Sequence, residues 1–383
     1  MKRFQFLLSL MLTLTVAVAG WGQSPKVLKV AILAPLSGAV PDAGVESRDG
    51  ALLAIDEWNA TGGVLGMKIM PIVKDGGCAR EVAIAAANDV INSHKVHYII
   101  GEVCSRASLA IAEIATASKV IQISPLSTEL LVTVDDSGAT RPYTFRACFI
   151  DPFQAKVGAS FAVKNLKAMK AFIMIDPNDG YVRGMAAGFE SAFTQLGGTI
   201  VGRANYDSGT IDFSVILSKV KIARPDIIYL PDYYQIVNYA TRQARQMGIK
   251  TPFMGGDGWD SADLDRKACD GSYFTNHFWP ADSRPEVQQF LKVYGTRYKD
   301  ASGNPAVPHA SAALAYDAAN VLLQAIKNAG MDDTDKVKAA LERITVKAVS
   351  GTIAFDAQHN AVKGAAILRV MGGNIVFDSF ISP

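Results

Sequence analysis

Short runs of consecutive apolar residues recur along the chain, and between them apolar positions return every third or fourth residue. LKVAILAP (28–35), KIMPIVKD (68–75), VHYIIGEV (96–103) and VIQISP (120–125) are apolar on successive positions, as strands of a parallel sheet covered on both faces are. Between them, SRDGALLAIDEWNATGG carries Leu52, Leu53, Ile55 and Trp58 at helical spacing and stops at Gly62-Gly63, a helix ending. REVAIAAANDVINSH and SRASLAIAEIATAS keep the same period. Strand–helix–strand repetition predicts a parallel sheet with helices on both faces.

The pattern then starts again. AFIMIDP (171–177), GTIVGRANY (198–206), PDIIYLPD (225–232) and PFMGGDG (252–258) read as strands, separated by helices such as SVILSKVKIA and QIVNYATRQARQMG. Two α/β lobes of similar design are predicted, each Rossmann-like, joined by several short crossings. The segment from WPADSRPEVQQFLKVYGTRY to DKVKAALERI is helical with proline breaks and is expected on the first lobe. The tail SGTIAFDAQHNAVKGAAILRVMGGNIVFDSF alternates and turns like a short β meander.

Composition adds the compartment. A chain of 383 residues with 49% apolar residues has room for two globular cores. MKRFQFLLSLMLTLTVAVAG has Lys2 and Arg3, an apolar run and then Ala17-Val18-Ala19, which predicts a secretory signal cleaved after Ala19, with Gly22 as the alternative. The run Phe4–Ala19 is shorter than the roughly 20 residues of a membrane span, and no cysteine stands there to take a lipid. Loss of Lys2 and Arg3 takes the formal charge from +2 to zero. A neutral surface argues against nucleic acid, whose binding depends on clustered Lys and Arg. The expectation is an exported, water-soluble mature protein with no stable membrane insertion.

Four cysteines remain, Cys78, Cys104, Cys148 and Cys269, with no C-x-x-C pair to suggest zinc or thiol redox chemistry. Export permits disulfides. Cys78 and Cys104 both follow apolar runs at the same end of neighbouring strands and are candidates for one bridge. Cys148 with Cys269 is a weaker candidate, because four cysteines allow three connectivities.

Enzyme signatures are missing: no G-x-x-x-x-G-K-[ST], no G-x-G-x-x-G after a strand, no H-E-x-x-H and no G-x-S-x-G, and the five histidines lack metal-ligand spacing. The polar residues that stand out lie at the carboxyl ends of strands, where open α/β sheets bind ligands. Ser105 is expected to cap the helix SRASLAIAEIA, and ISPLSTE ends a strand with Ser124, Ser127 and Thr128. Hydroxyls beside free amides at a helix start suit an anion, particularly a carboxylate. FMGGDGWD ends another strand with Asp257, an acceptor for a cation such as an ammonium group. Tyr181 and the pair Tyr233-Tyr234 follow strands of the same lobe and can cover a ligand. Taken singly, these are ordinary caps, turn residues and surface aromatics. Together, an anion trap facing a carboxylate suits a zwitterion and needs no cofactor or metal.

In order along the chain, VAILAPLSG, GALLAIDEWNATGGVLG, the cysteine after VKDGG, IIGEVCS, ISPLST, YTFRACFIDPFQ and FMGGDGWDS form a set. The set resembles the periplasmic solute-binding proteins of ABC importers, type I fold, in the leucine/isoleucine/valine-binding branch. The resemblance runs from about Lys26 to the C-terminal region. It implies a two-lobed receptor with a multi-strand hinge, residues 27–146 with 279–345 in one lobe and 147–278 with 346–383 in the other. It implies an amino acid ligand, a membrane permease of an ABC importer as partner, a monomer and no catalysis. Carried over, Ser105, Ser127 and Thr128 hold the ligand carboxylate and share its ammonium, and Asp257 takes the acidic position where glutamate is found. Tyr181 and Tyr233 close over the ligand, with Tyr234 as the neighbouring alternative, and Cys78 pairs with Cys104. Ala43 replaces an aromatic near the ligand side chain, and Glu102 adds a carboxylate before VCS. The same lobes also serve receptors for amides, urea or aromatic acids, and ligand-sensing domains.

Overall fold

The computed structural model describes residues 26–382; the expected signal segment lies outside the described residues. The first lobe is built on a parallel sheet of β1 (Val27–Ala34), β2 (Lys68–Asp75), β3 (Tyr98–Gly101), β4 (Ile121–Ser124) and β5 (Thr144–Arg146). Its order is β2-β1-β3-β4-β5. The crossovers are α1 (Pro41–Ala60), α2 (Arg80–Asn92) and α3 (Ser105–Ser118). The chain then passes through α4 (Asp151–Lys164) into the second lobe, with β6 (Lys170–Ile175), α5 (Gly180–Gln195), β7 (Thr199–Asn205), α6 (Ser214–Ala223), β8 (Ile227–Tyr229), α7 (Tyr234–Gln246), β9 (Phe253–Gly255) and β10 (Tyr273–Asn276). It returns to the first lobe as α8 (Pro285–Arg297), α9 (Ala310–Ala329) and α10 (Thr334–Leu341); α9 lies along α1. The hairpin β11 (Thr345–Ala348) and β12 (Gly351–Ala354) follows, then β13 (Ala365–Met371) and β14 (Asn374–Ile381). The second sheet runs β14-β13-β10-β9-β8-β6-β7, antiparallel only at β10–β13 and β13–β14.

Two sequence expectations change. The β11–β12 hairpin does not belong with the second lobe: Val349, Ile353 and Ala361 pack in one core with Leu322 and Ile326 of α9, so the last crossing comes after Ala361 and not at 346. Cys148 and Cys269 are buried and unbridged. Cys148 sits on the crossing after β5, its thiol 3.3 Å from the Ser127 carbonyl oxygen, whereas the Cys269 sulfur lies 3.6 Å from the Thr241 hydroxyl on α7.

Cys78 and Cys104 are joined, Cα to Cα 5.2 Å, between the ends of β2 and β3. Closing this loop stabilises the fold by about 3 kcal/mol in the chain-entropy view. Gly101 ends β3 with φ +136°, and a Cβ there would lie 2.0 Å from the Leu33 carbonyl oxygen. Only glycine fits, and the sharp exit delivers Glu102 and Cys104 to the carboxyl edge of the sheet.

Candidate functional site

The first-lobe wall grows from the ends of β3 and β4. Ser105 does not cap α3 as expected. Cys104 occupies the cap position without a side-chain hydrogen bond, and the Ser105 hydroxyl instead accepts the Glu129 amide at 3.2 Å. The first-turn amides of α3 therefore stay without a side-chain cap, a positive helix end turned toward the cleft edge. Ser127 is turned inward: its hydroxyl lies 3.1 and 3.0 Å from the carbonyl oxygens of Glu102 and Val103 and 2.7 Å from the Ser108 hydroxyl. Glu102 is fully buried and accepts the amides of Cys104 at 2.7 Å and Cys78 at 3.2 Å. Burial pushes its carboxyl up to about 7 against those bonds. It braces the disulfide and does not line the cleft. Buried Arg146 donates to the carbonyls of Ser127 at 2.8 Å and Leu130 at 3.2 Å, holding the loop that presents Thr128.

The second-lobe wall centres on Asp257, which opens a single 3₁₀ turn after β9. Its Oδ1 accepts Gln154 Nε2 at 2.6 Å and the Tyr181 hydroxyl at 3.0 Å, and its Oδ2 lies 3.0 Å from His277 Nε2. Burial lowers the His277 ring to about 4 despite Asp257. The imidazole is neutral near pH 7, and the carboxylate partner assigns its proton to Nε2. Phe149 stacks on that ring, centroids 3.5 Å apart. Burial, with the charges of Asp257 and Asp151, keeps the Tyr181 phenol protonated. Tyr233 meets Tyr181 with centroids 5.4 Å apart, whereas Tyr234 is buried against first-lobe residues, its hydroxyl toward Asp42. Tyr233, not Tyr234, is the aromatic that packs against Tyr181.

Three residues that sequence reasoning passed over join this wall: Asp151, Gln154 and His277. Asp151 begins α4 and is 1% exposed; its carboxylate oxygens make no well-formed hydrogen bond within the protein, although the Thr128 hydroxyl stands close enough to lower its carboxyl. Burial raises its carboxyl well above the ordinary range, Asp257 adds to this, and the Thr128 hydroxyl and Arg146 oppose it. The Gln154 Oε1, His277 Nδ1 and Tyr229 hydroxyl are also buried without partners. A signal was present: FIDPFQ places Asp151 and Gln154 three residues apart, on one face of a helix, and YFTNH ends a strand at the same sheet edge as Asp257.

The walls face each other closely. Arg106 lies 3.7 Å from Asp179 and Arg183 3.9 Å from Glu129. Ser261 bonds Asp42, and Asp260 accepts the Ala310 amide of α9 at 2.8 Å. A Cβ on Gly180 would meet Glu129 Oε1 at 2.2 Å. These contacts join opposite lobes, so the cleft is closed. At its mouth a cavity of about 210 Å³ is lined by Arg106, Asp176, Asp179, Asp232 and Tyr233. Among the described residues no group of three or more His, Cys, Asp or Glu is placed to hold a metal ion, and no helix is long and apolar enough to cross a membrane.

Comparison with known proteins gives one consistent picture. The family described as periplasmic binding protein matches residues 27–374. The leucine binding protein LivK of Thermotoga maritima is 35% identical, with a TM-score of 0.86 over 93% of this chain and 99% of that one. The branched-chain amino acid transporter substrate binding protein LivJ of Streptococcus pneumoniae, solved with isoleucine, is 29% identical, with a TM-score of 0.85 over 94% of this chain and 100% of that one. The leucine-, isoleucine-, valine-, threonine-, and alanine-binding protein of Pseudomonas aeruginosa is 28% identical over 342 residues, 88% of each chain.

Proposed function

The chain belongs to the periplasmic binding protein family, and from that premise we propose that it is an exported receptor that binds a small L-amino acid, branched-chain or related, between its lobes and hands it to the permease of an ABC importer. The observation that carries this reading is the pairing of opposite chemistries across one closed cleft. An uncapped helix start with Ser105 and Thr128 stands on one side, and Asp257 with Tyr181 on the other. A zwitterion presents the complementary charges. Its carboxylate meets the α3 amides and hydroxyls, and its ammonium meets the acidic second-lobe wall. Ser127 shapes the turn that presents Thr128, and Tyr181 and Tyr233 cover the ligand.

The mechanism is hinge closure. Groups on both lobes engage the ligand together only when the lobes meet, so the ligand shifts the population toward the closed form by its better binding there. Nothing in this cycle requires bond chemistry. The receptor is placed in the periplasm by the signal segment, which the mature protein lacks.

The test is the melting temperature of mature protein, stripped of ligand by unfolding and refolding, against L-amino acids, urea, amides and aromatic acids. A ligand at 1,000 times its dissociation constant adds about 4 kcal/mol of stability. A shift with leucine, isoleucine, valine or a close relative is the expected result. A shift confined to urea, amides or aromatic acids overturns the amino acid assignment and keeps the receptor. No shift across the panel overturns the transport reading in favour of a sensing domain.

A further inference from the structure

A second cavity lies apart from the cleft. Its volume is about 530 Å³, and none of its lining residues belongs to either cleft wall. It is bounded by the crossing that follows β10, the start of β12, the last crossing around Lys363, and β14.

The aromatic part of this cavity is built by an irregularity in β14. Phe377 pairs with Leu368 and Ser379 with Ile367, so Asp378 is an extra residue in the ladder. In an even strand, residues three apart point to opposite faces; the extra residue turns Phe377 and Phe380 to the same one. Both meet Trp279, Phe377 stacked with centroids 4.3 Å apart and Phe380 tilted at 6.0 Å. Gly364 lets the Phe380 ring lie against the crossing, because a Cβ there would come within 2.4 Å of that ring. Phe377 and Phe380 nevertheless remain 41% and 50% exposed. A bulge and a glycine gather aromatic rings that the core does not cover.

The rest of the lining carries charge. Arg284 and Lys363 share it with one acid, Asp282, which Arg284 already engages through Nε at 2.6 Å. Lys363 is 5% exposed. Its ammonium donates to the Ser350 hydroxyl and lies 3.4 Å from the Ala147 carbonyl oxygen. Among the described residues no carboxylate stands within ion-pair distance of it. Asp317 is held one hydroxyl away, accepting the Ser350 hydroxyl and the amides of Val349 and Ser350. Burial lowers the Lys363 ammonium to about 8, with Asp317 opposing, so it stays charged near pH 7. A buried cation without a paired anion is costly, and this one lines a cavity with room for such an anion.

We propose that this cavity is a second binding site, for a flat aromatic carboxylate whose ring packs against Trp279, Phe377 and Phe380 and whose carboxylate pairs with Lys363. Aromatic partners add edge-to-face or offset contact to the area they bury, and a carboxylate supplies the anion that two cations and one acid leave missing. Lying outside the cleft, the site stands independently of the amino acid reading.

The probe is 2-naphthoate, titrated by calorimetry into mature protein saturated with the amino acid that gives the largest melting shift, or into the protein alone if none gives one. Wild type is expected to bind it, and to bind 2-naphthamide, which lacks the charge, at least about tenfold more weakly. Phe377→Ala removes an exposed ring outside the cleft and should weaken 2-naphthoate at least about tenfold while leaving amino acid affinity unchanged. Lys363→Met should bring the acid and the amide to similar affinities. No binding at millimolar 2-naphthoate, or wild-type affinity in Phe377→Ala, overturns the site. Displacement of the probe by the amino acid places it in the cleft and overturns the site as well. Equal affinity of wild type for acid and amide overturns the carboxylate assignment, without needing a variant that folds.

Discussion

The two walls of the cleft are both buried and both polar, but their polar atoms are engaged differently. On the first-lobe wall the side chains bond within the protein: Ser127 to the β3 exit, Glu102 to both disulfide cysteines, Ser105 to Glu129. On the second-lobe wall Asp151, Gln154, His277 and Tyr229 all keep buried atoms without partners. The first wall bonds largely within itself, with Arg146 Nε and Gln122 Oε1 among its buried atoms without partners, and offers backbone amides. The second gathers more such atoms around its two aspartates. The difference separates two kinds of conspicuous polar residue. A serine at a strand end can be wholly structural, while an inconspicuous aspartate at a helix start can belong to the charged wall of the cleft.

The comparison is broken most strongly through the scaffold. Replacing Cys78 and Cys104 together by serine should lower unfolding stability by about 3 kcal/mol, read by denaturant titration. Because Glu102 still bonds both backbone amides, ligand affinity should fall much less. A large loss of affinity with intact stability would mean that the disulfide is itself part of the binding surface. A smaller step on the same wall is Ser127→Ala: Ser108 and the Glu102 carbonyl keep each other and Ser124 as partners, the Val103 carbonyl loses its side-chain donor, and the cost should be about 1 kcal/mol of stability.

On the second wall the sharper probe is pH. Burial raises the Asp151 carboxyl above its ordinary 3.8, so the folded unliganded protein holds that proton more tightly than the unfolded chain. The stability this provides is complete below about pH 4 and is lost as pH rises through the folded-state value. Glu102 and Asp232, each raised to about 7, contribute in the same direction. The informative quantity is therefore the difference between wild type and D151N. Wild type should lose stability relative to the variant as pH rises from about 4, and amino acid affinity should rise with pH as the carboxyl ionises. Parallel stability curves for the two proteins would place Asp151 outside the charge balance of the pocket.

Much of the architecture was legible in the residues. β2 and α6 have the bounds that their apolar patterns suggest, although β2 is the edge strand and exposes Lys68 and Met70 where the pattern suggested cover on both faces. The Cys78–Cys104 pair followed from two cysteines that leave strands at the same end of the sheet, although β1 lies between β2 and β3 and they are not the neighbours the sequence suggested. Asp257 stands just after β9, and Tyr181, expected after a strand, lies in the first turn of α5 behind β6. Ser127 was misread because the direction of a hydroxyl is decided by tertiary neighbours, here Ser108 and the Glu102 carbonyl. Asp151 was passed over because an aspartate before a proline reads as a helix start, and its burial exists only once Thr128 and Gly184 close around it. The β11–β12 hairpin gave the alternation of a strand pair, but nothing in that alternation said which lobe would cover it.

The most direct measurement is a crystal structure of the protein with its strongest amino acid ligand. The ligand nitrogen should lie within about 3 Å of an Asp257 carboxylate oxygen, with the ligand carboxylate at the first turn of α3. A ligand whose nitrogen lies away from Asp257, or whose carboxylate lies away from α3, would contradict the account.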